Sequence, residues 1–194
     1  MTNKKPKILV HVCCAACASY VFSVLEEEGF QIIAYFYHPE VHGKAEYLRR
    51  LKDVQKLCEK KEIKLIVPPY NMQDFLSILM PYQDQHSIKY ISDKKRYKRN
   101  RCQICISLLI NNIVRETKKL RLKYFTTTML CSPYRDHEEI WDKSLELATQ
   151  NKLNLYYKDF RKGYWKGRNY ARNHDIMIPK YCGCNESAEE GRLE

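Results

Sequence analysis

Three groups of closely spaced cysteines are the residues of this sequence best suited to chemistry. They lie in the segments HVCCAAC, RCQIC and YCGC and are, in chain order, Cys13, Cys14, Cys17, Cys102, Cys105, Cys182 and Cys184. Adjacent side chains that leave a strand point to opposite faces, so Cys13 and Cys14 are poorly placed to form a disulfide with each other. Grouped thiols of this kind indicate metal binding or a redox pair.

Seven grouped cysteines exceed the needs of one metal centre. A four-coordinate site uses four thiolates and leaves three over, so a second metal or a redox pair is expected. Cys182 and Cys184 are separated by one glycine, a spacing that can chelate a metal or close a strained, easily reduced disulfide. Both possibilities stay open at this point.

Cys102 and Cys105 have the i, i+3 spacing that places two sulfurs on one face of a helix. We predict that they occupy the first turn of an apolar helix, where backbone amides and nearby arginines would lower their thiol pKa. Cys58 shares a helical stripe with Leu51 and Val54, so we interpret it as a core residue.

Length and composition favour one soluble catalytic domain spanning residues 1–194. A chain of 194 residues with 44% hydrophobic content can bury a proper core. Nine cysteines, an odd number, do not suit a secreted disulfide scaffold, and we see neither an apolar signal segment nor a membrane span. We therefore expect a cytoplasmic protein with no membrane partner.

The net charge of +11 is concentrated in two basic stretches that also carry aromatic residues. Lys94–Cys105 has six basic residues and no acidic one, and Asp159–His174 interleaves basic residues with tyrosine and tryptophan. Cations neutralise phosphates and aromatic rings stack on unpaired bases, which favours a folded RNA as partner. The alternative is a solvated cationic surface. We expect segments 81–105 and 159–190 to cover the active site.

Alternating strands and helices position these groups. The predicted strands are Ile8–Val12, Gln31–Tyr37, KLIVPP at 64–69, Lys123–Met129 and Leu153–Tyr157, and predicted helices include Ser19–Glu28, 45–61 and Met72–Met80. Strands separated by helices form right-handed crossovers and a mostly parallel sheet. We predict an α/β, Rossmann-like, three-layer domain.

In such a sheet, ligands bind outside the carboxyl ends of the strands, where the strand order reverses. The first cysteine group follows the first strand, Asp159 follows the fifth, and Cys131–Glu139 follows the fourth, so all should face one crevice. No glycine lies between the first strand and its helix, so the loop that cradles nucleotide phosphates is missing and no ATP is expected.

The sequence resembles the QueH-type epoxyqueuosine reductase family. The matching segments occur in family order: HVCCAAC, HPEVHGKAEYLRR, RCQIC, FTTTMLCSPYRDHEEI, DFR and YCGC. This resemblance implies an adenine-nucleotide-hydrolase-like fold and reduction of epoxyqueuosine to queuosine in the tRNA anticodon loop. It also implies a [4Fe-4S] cluster without cobalamin, a second mononuclear metal (iron or zinc) or a redox pair beside it, and an electron donor that is not identified.

On the resemblance we assign the cluster to four cysteines, namely Cys13, Cys14, Cys102 and Cys105. Cys182 and Cys184 would form the redox pair or hold the second metal, with Cys17 and Asp159 as further candidates. A carboxylate beside metal-bound thiolates can have a raised pKa and act as an acid. The family pattern tolerates aliphatic residues at the position of Cys131, which we leave out of the site.

Several of these residues have simpler interpretations. Asp159 could form an ion pair with Arg161, and His11 is better explained as a hydrogen-bonded core residue. Tyr134 and His137 lie near the crevice, but their segment could equally serve to cap a helix through Ser132 and Asp136.

The tRNA contacts are predicted to come from the basic stretches, through Arg96, Lys98, Arg99, Arg101, Arg161, Trp165 and Arg168. Two other functions would also combine thiols with basic surfaces. A tRNA-thiolating enzyme of the same fold group needs a glycine- and serine-rich ATP loop, which is missing after the first strand. A zinc-stabilised RNA-binding module needs one tetrahedral site and has no use for a third cysteine group.

Overall fold

The computed structural model describes residues 5–81 and 94–189, and for 94–97 it describes the helical backbone alone. The strands are β1 (Lys7–His11), β2 (Gln31–Tyr35), β3 (Lys64–Ile66), β4 (Tyr124–Thr127) and β5 (Asn154–Leu155). All four strand pairings in the described sheet are parallel, in the order β3-β2-β1-β4-β5. The predicted parallel α/β architecture is confirmed.

The helices are α1 (Ala15–Glu27), α2 (Lys44–Lys60), α3 (73–81), α4 (Lys94–Lys119), α5 (His137–Asn151), α6 (Tyr164–Asn173) and α7 (Asn185–Glu189). Short 3-10 turns at Thr128–Cys131 and Phe160–Gly163 follow β4 and β5. Helices α1, α2 and α6 form one layer, and α4 packs with α5. Right-handed crossovers run in opposite directions from the centre of the sheet, which places these layers on opposite faces.

The apolar strands form the centre of the core. In β1, Ile8, Leu9 and Val10 are fully buried, as expected for a central strand covered by helices on both faces. Val10 pairs with Ala34 of β2 and with Thr126 of β4. The strand order therefore reverses between β1 and β4, and the residues that follow these two strands meet at the same edge of the sheet.

Two helix starts differ from the sequence predictions. Helix α1 begins at Ala15 rather than near Ser19, and Cys14 is its N-cap residue. Helix α4 begins at Lys94, so Cys102 lies two turns inside it and not in its first turn. Free helix amides are confined to the first turn, so the predicted position of the two cysteines at a helix start is wrong, and so is the lowering of the Cys105 pKa that was predicted from it.

Helix α6 packs against α1 at a distance that two glycines permit. A Cβ atom on Gly167 would lie 2.3 Å from the carbonyl oxygen of Ala16, and one on Gly163 would lie 1.9 Å from the ring of Tyr20. Neither position has room for a side chain. None of the described helices combines the length and apolar character needed to cross a membrane.

Candidate metal and redox site

The thiol triad, Cys13, Cys14 and Cys17, lies where β1 passes into α1. Their sulfur atoms all lie within 4.8 Å of one another. Cys14 Sγ accepts a hydrogen bond from the Cys17 amide at 3.5 Å and so caps the helix. Thiols this close in sequence and space could hold a soft metal ion.

Thr128, at the carboxyl end of β4, fixes the first residue of the triad. Its Oγ1 accepts a hydrogen bond from the Cys13 amide at 2.8 Å and donates one to Cys13 Sγ at 3.1 Å. The contact joins the two strands between which the sheet order reverses. This edge is where the sequence analysis expected the ligand site.

Without a cation, the thiols of the triad hold their protons. The hydrogen bond with Cys13 and then burial raise the Cys14 pKa. The hydrogen bond with Cys14 lowers the Cys13 pKa, but a bond with Cys17 and burial raise it well above its usual range. Metal binding by these thiols would therefore release protons, since the thiolate is the ligand.

The second thiol group consists of Cys102 and Cys105 on α4 and Cys182 and Cys184 near α7. Cys105 interacts electrostatically with both C-terminal thiols, and Cys182 interacts with Cys102. Burial raises the pKa of Cys105, and it raises that of Cys184 to about 11. All nine cysteines of the chain are free thiols. The two thiol pairs, which are distant in sequence, thus interact electrostatically, but among the described residues only the triad has three sulfur atoms within 4.8 Å of one another.

Arg50 of α2 holds the loop that carries Cys182. Its guanidinium donates to the carbonyl oxygen of Cys182 at 2.9 Å and to that of Tyr181 at 3.1 Å, while its Nε donates to Glu46 at 2.8 Å. Arg50 is 3% exposed. Gly183 has a φ of 136°, and its carbonyl accepts from the His42 amide at 2.8 Å. The loop is therefore held by backbone contacts to residues of the HPEVHGKAEYLRR segment.

A cavity of about 60 Å³ lies between the triad and Cys182. Its other lining residues include Met129, Ile178, Pro179, Tyr181 and the arginines Arg50, Arg135 and Arg168. The cavity is thus bounded by thiols on two sides, by apolar side chains and by cationic groups. Such a lining suits an uncharged group of a substrate that accepts hydrogen bonds, or one that gains negative charge during the reaction.

A buried His-His-Glu cluster lies beside the thiols. His38 Nδ1 contacts Glu40 Oε1 at 2.8 Å, and His38 Nε2 donates to the Val12 carbonyl at 2.7 Å. Glu40 is 2% exposed, and among the described residues its Oε2 has no hydrogen-bond partner. Sequence reasoning quoted the HPEVHG segment but assigned neither residue. The signal was a histidine and an acid placed directly after a strand, at the carboxyl edge of the sheet.

His11 is a core residue, as its simpler interpretation predicts. Its ring nitrogens contact Thr127 Oγ1 at 3.0 Å and the Tyr37 carbonyl at 3.1 Å, and it is fully buried. Burial and then the neighbouring His38 lower its pKa to about 3, so the ring is neutral at pH 7. Cys58 is 2% exposed and burial raises its pKa to about 12, which confirms that it is a core residue.

Asp159 forms an ion pair with Arg161, as its simpler interpretation predicts. Its Oδ2 accepts from Arg161 Nη2 at 2.6 Å, and its Oδ1 accepts from the Arg161 amide at 3.0 Å. These hydrogen bonds lower the Asp159 pKa to about 2, opposite to the raised pKa that an acid needs. The role of Asp159 as an acid or metal ligand stays a prediction.

The segment after β4 is anchored by local hydrogen bonds. Asp136 caps α5 by accepting from the Glu139 amide at 3.1 Å, and Ser132 accepts from the Tyr134 amide at 3.3 Å. His137 Nε2 donates to the Ser132 carbonyl at 3.1 Å. Cys131 is buried, and its side chain interacts with the thiol of Cys17, a contact that the sequence analysis missed.

The predicted RNA-binding residues fall into three classes. Lys98, Arg99, Arg161 and Trp165 are exposed, and Trp165 has 60% of its surface accessible. Arg168 lies over the rings of Tyr164 and Trp165, at 5.2 and 5.7 Å from their centroids. Arg101 is 3% exposed and close to Cys184, so its burial does not support the predicted contact with RNA.

Parts of four predictions lie outside the described residues. They are the side chain of Arg96, residues 82–93 of the segment 81–105, residue 190 of the segment 159–190, and residues 1–4 and 190–194 of the predicted domain.

Comparison with known proteins identifies relatives over most of the chain. A family model described as epoxyqueuosine reductase QueH matches residues 8–190. Epoxyqueuosine reductase QueH of Dehalococcoides mccartyi is 28% identical, with 95% of this chain and 94% of that protein covered. The protein of the same name from Helicobacter pylori is also 28% identical, but the match covers 91% of this chain and 48% of that protein.

Among solved structures, the U34-tRNA thiolase NcsA from Methanococcus maripaludis with its [4Fe-4S] cluster is 12% identical to this chain. The match has a TM-score of 0.44 and covers 87% of this chain and 66% of that chain. So distant a likeness adds nothing to the chemistry of the thiols.

Proposed function

This chain belongs to the epoxyqueuosine reductase QueH family, and we propose that it reduces epoxyqueuosine to queuosine in the anticodon loop of tRNA. The reaction joins one epoxide, two electrons and two protons to give an alkene and one water molecule, as the last step of queuosine modification. The observation that carries the proposal, beside the relatives, is the cavity between two thiol groups at the carboxyl edge of the sheet.

Iron is the proposed metal, because the donor set is made of thiols and the reaction needs electrons. Thiolates suit iron-sulfur clusters and zinc, but zinc supplies no electrons. When bound, an iron-sulfur cluster would supply electrons one at a time. The triad fits such a group, since its three sulfurs lie within 4.8 Å of one another. The thiols of the second group interact electrostatically and would supply further donors.

The ligands stay divided as the sequence predicts. Cys13, Cys14, Cys102 and Cys105 would hold a [4Fe-4S] cluster. Cys182 and Cys184 would form a redox pair or hold a second iron or zinc ion, to which Cys17 is a possible added ligand. Asp159 is the further candidate. The closeness of Cys17 to Cys13 and Cys14 supports a shared role for the triad and makes Cys17 the residue on which this division is best tested.

The chain's own residues would bind and shelter the modified base. Met129, Ile178 and Pro179 line the cavity and exclude water from it. Trp165, beside it on α6, offers an exposed ring on which an anticodon-loop base can stack. Exposed cations such as Lys98 and Arg99 would contact the phosphate backbone.

The proposal also covers the cellular compartment, the cofactors and the electron donor. A tRNA substrate is consistent with a cytoplasmic enzyme, and we propose no membrane partner. Neither cobalamin nor ATP takes part, and the electron donor is an unidentified reductant. A chemical reductant replaces it in the test below.

The test is anaerobic purification followed by a turnover assay. We expect a brown protein with iron and acid-labile sulfide that, with dithionite and without cobalamin, converts epoxyqueuosine in tRNA to queuosine by nucleoside analysis. A matched reaction with the protein omitted controls for direct reduction by dithionite. A colourless protein that holds only zinc and leaves the epoxide intact would contradict the proposal and favour the zinc-stabilised RNA-binding module.

A further inference from the structure

The cavity contains one arginine whose donors are not used by the protein. Arg50 is committed to two carbonyls and Glu46. Arg168 donates to the Tyr164 hydroxyl at 2.8 Å and covers two rings, and only its buried Nε has no partner among the described residues. Arg135 also lines the cavity. Within residues 5–81 and 94–189, no acceptor lies within hydrogen-bond distance of its guanidinium. The Arg135 side chain therefore lines the cavity with N–H donors that no described residue uses.

The backbone on both sides of Arg135 is anchored. Before it, the Tyr134 amide donates to Ser132 Oγ, and after it, Asp136 caps α5. His137, the next residue, donates to the Ser132 carbonyl. A side chain on so well anchored a turn enters the cavity from a fixed point, which is the arrangement that preorganises a binding group.

The charges around Arg135 favour a cation and select its ligand. An arginine guanidinium keeps its charge over the whole pH range of folded proteins, and the carboxylate of Glu40 interacts electrostatically with that of Arg135. The guanidinium therefore stays protonated and can donate hydrogen bonds but not a proton. A phosphate close to the Glu40 carboxylate would be repelled, whereas a neutral oxygen that gains charge only during a reaction would be repelled less.

We propose that Arg135 is a catalytic residue that donates hydrogen bonds to the epoxide oxygen and stabilises it as its C–O bonds break. This inference rests on the proposed function. Two electrons from a low-potential reductant and two protons from solvent or thiols convert the epoxide to an alkene and water. Arg135 supplies neither electrons nor protons, and its charge is the same before and after the reaction.

The experiment uses the anaerobic, metal-loaded protein in single-turnover assays with dithionite and tRNA that carries epoxyqueuosine. Two variants separate charge from geometry, because Arg135→Gln removes the cation and Arg135→Lys keeps it without the planar fork. Arg121→Gln, an exposed arginine after α4, is the control. We expect epoxide loss to slow about 100-fold in Arg135→Gln and about tenfold in Arg135→Lys. Arg121→Gln should match the wild type.

Three further measurements decide what the lost arginine was doing. The affinity for queuosine-containing tRNA, the salt dependence of that affinity and the iron content per chain should all match the wild type. Weaker binding with a shallower salt slope would instead show a phosphate contact, and loss of iron would show that Arg135 holds the thiolates. Either result, or unchanged turnover in both variants, would overturn the inference.

A binding comparison tests the inference separately from turnover. Wild-type protein should bind epoxyqueuosine-containing tRNA more tightly than queuosine-containing tRNA, and Arg135→Gln should lose that difference. Wild-type protein that shows the preference but reduces nothing would contradict the proposed function alone. Wild-type protein that reduces the epoxide while Arg135→Gln keeps both rate and preference would contradict the inference alone.

Discussion

The two thiol groups are built in different ways. The triad is local, because Cys13, Cys14 and Cys17 belong to one strand-to-helix junction and one of its members caps α1. The second group joins α4 to a loop near the C-terminus, and that loop is held by Arg50 and His42 from a third part of the chain.

This difference separates what local sequence can encode from what needs the whole fold. The spacing of the triad already places its sulfurs together, since a strand end and a first helical turn have fixed geometry. The loop with Cys182 is held by Arg50 of α2, so its position depends on how that helix packs. We therefore expect the triad to withstand distant substitutions and the second group to be sensitive to them.

The largest effects should come from the proposed cluster ligands. Alanine at Cys13, Cys14, Cys102 or Cys105 should each remove most of the iron and the activity, because each would delete one thiolate ligand. Iron and acid-labile sulfide analysis of the anaerobic proteins checks this. Cys58→Ala is the matched control, and it should keep iron and turnover with a stability loss of about 1 kcal/mol.

The same cysteine variants also test the contrast between the triad and the second thiol group. Full iron and sulfide in any of the four variants would remove that residue from the ligand set. If Cys17→Ala loses cluster iron while Cys102→Ala keeps it, the triad alone holds the cluster and the predicted division of ligands fails.

Arg50→Lys should disturb the second group and spare the triad. Lysine keeps the charge but cannot bond both carbonyls, and loss of hydrogen bonds totalling about 1.5 kcal/mol should raise the open population of the loop about tenfold. Alkylation of the metal-free protein, followed by peptide mass spectrometry, should show faster modification at Cys182 than in wild type and unchanged modification at Cys17.

Arg49→Lys is the control for this prediction, because Arg49 is exposed and bonds the same Glu46 without touching the loop. Equal acceleration at all thiols of Arg50→Lys would indicate general destabilisation rather than a loosened loop.

Trp165→Ala tests whether tRNA is contacted on the side of the cavity nearer the triad. If the exposed ring stacks on a base, its loss should weaken tRNA binding by about 1 to 3 kcal/mol with little change in salt slope. Binding titrations at several salt concentrations measure both quantities. Unchanged affinity would show that the ring is not a contact.

Replacing Lys98 and Arg99 together by glutamine examines the α4 side, which carries half of the second group. Each lost phosphate contact should reduce the logarithmic salt slope of tRNA binding by about 0.9, and the iron content should stay the same. Parental affinity across the whole titration would identify this part of α4 as a solvated surface.

The smallest effect concerns the exposed Asp159–Arg161 pair. The Asp159 pKa of about 2 lies below its ordinary value of about 3.9, so the pair stabilises the protein above pH 4. That contribution disappears as pH falls through 2. Thermal unfolding of Asp159→Asn should show a slight loss at pH 7 that vanishes near pH 2, because water screens an exposed pair. An equal difference at both pH values would contradict this.

Much of the fold could be predicted from sequence. Alternation of apolar strands with amphipathic helices indicated a parallel sheet, and β1 was predicted to within one residue at each end. The start of α1 was missed although Ala15 and Ala16 are strong helix formers, because the apolar periodicity used to predict this helix begins only after Ser19. The long polar first part of α4 was missed because it lacks the apolar periodicity that marked the rest.

The sequence predicted the thiols of the site but not the charged residues that surround them. Seven grouped thiols are visible in the sequence at once. Arg50, Arg135 and Glu40 are charged residue types that normally lie on the surface, so only packing shows that they surround the thiols. The ionisation of Cys105 was also predicted in the wrong direction, since its burial depends on contacts that no local pattern reveals.

The two glycines between α1 and α6 have a consequence for substrate choice. Because Gly163 and Gly167 leave no gap, the helix with Trp165 and Arg168 and the helix that begins at the triad form one rigid unit. The depth between a base stacked on the outer surface and the sulfur atoms is therefore constant. Under the proposed function, a base stacked on Trp165 would need a side arm of matching length to reach the thiols, and an unmodified base would be too short.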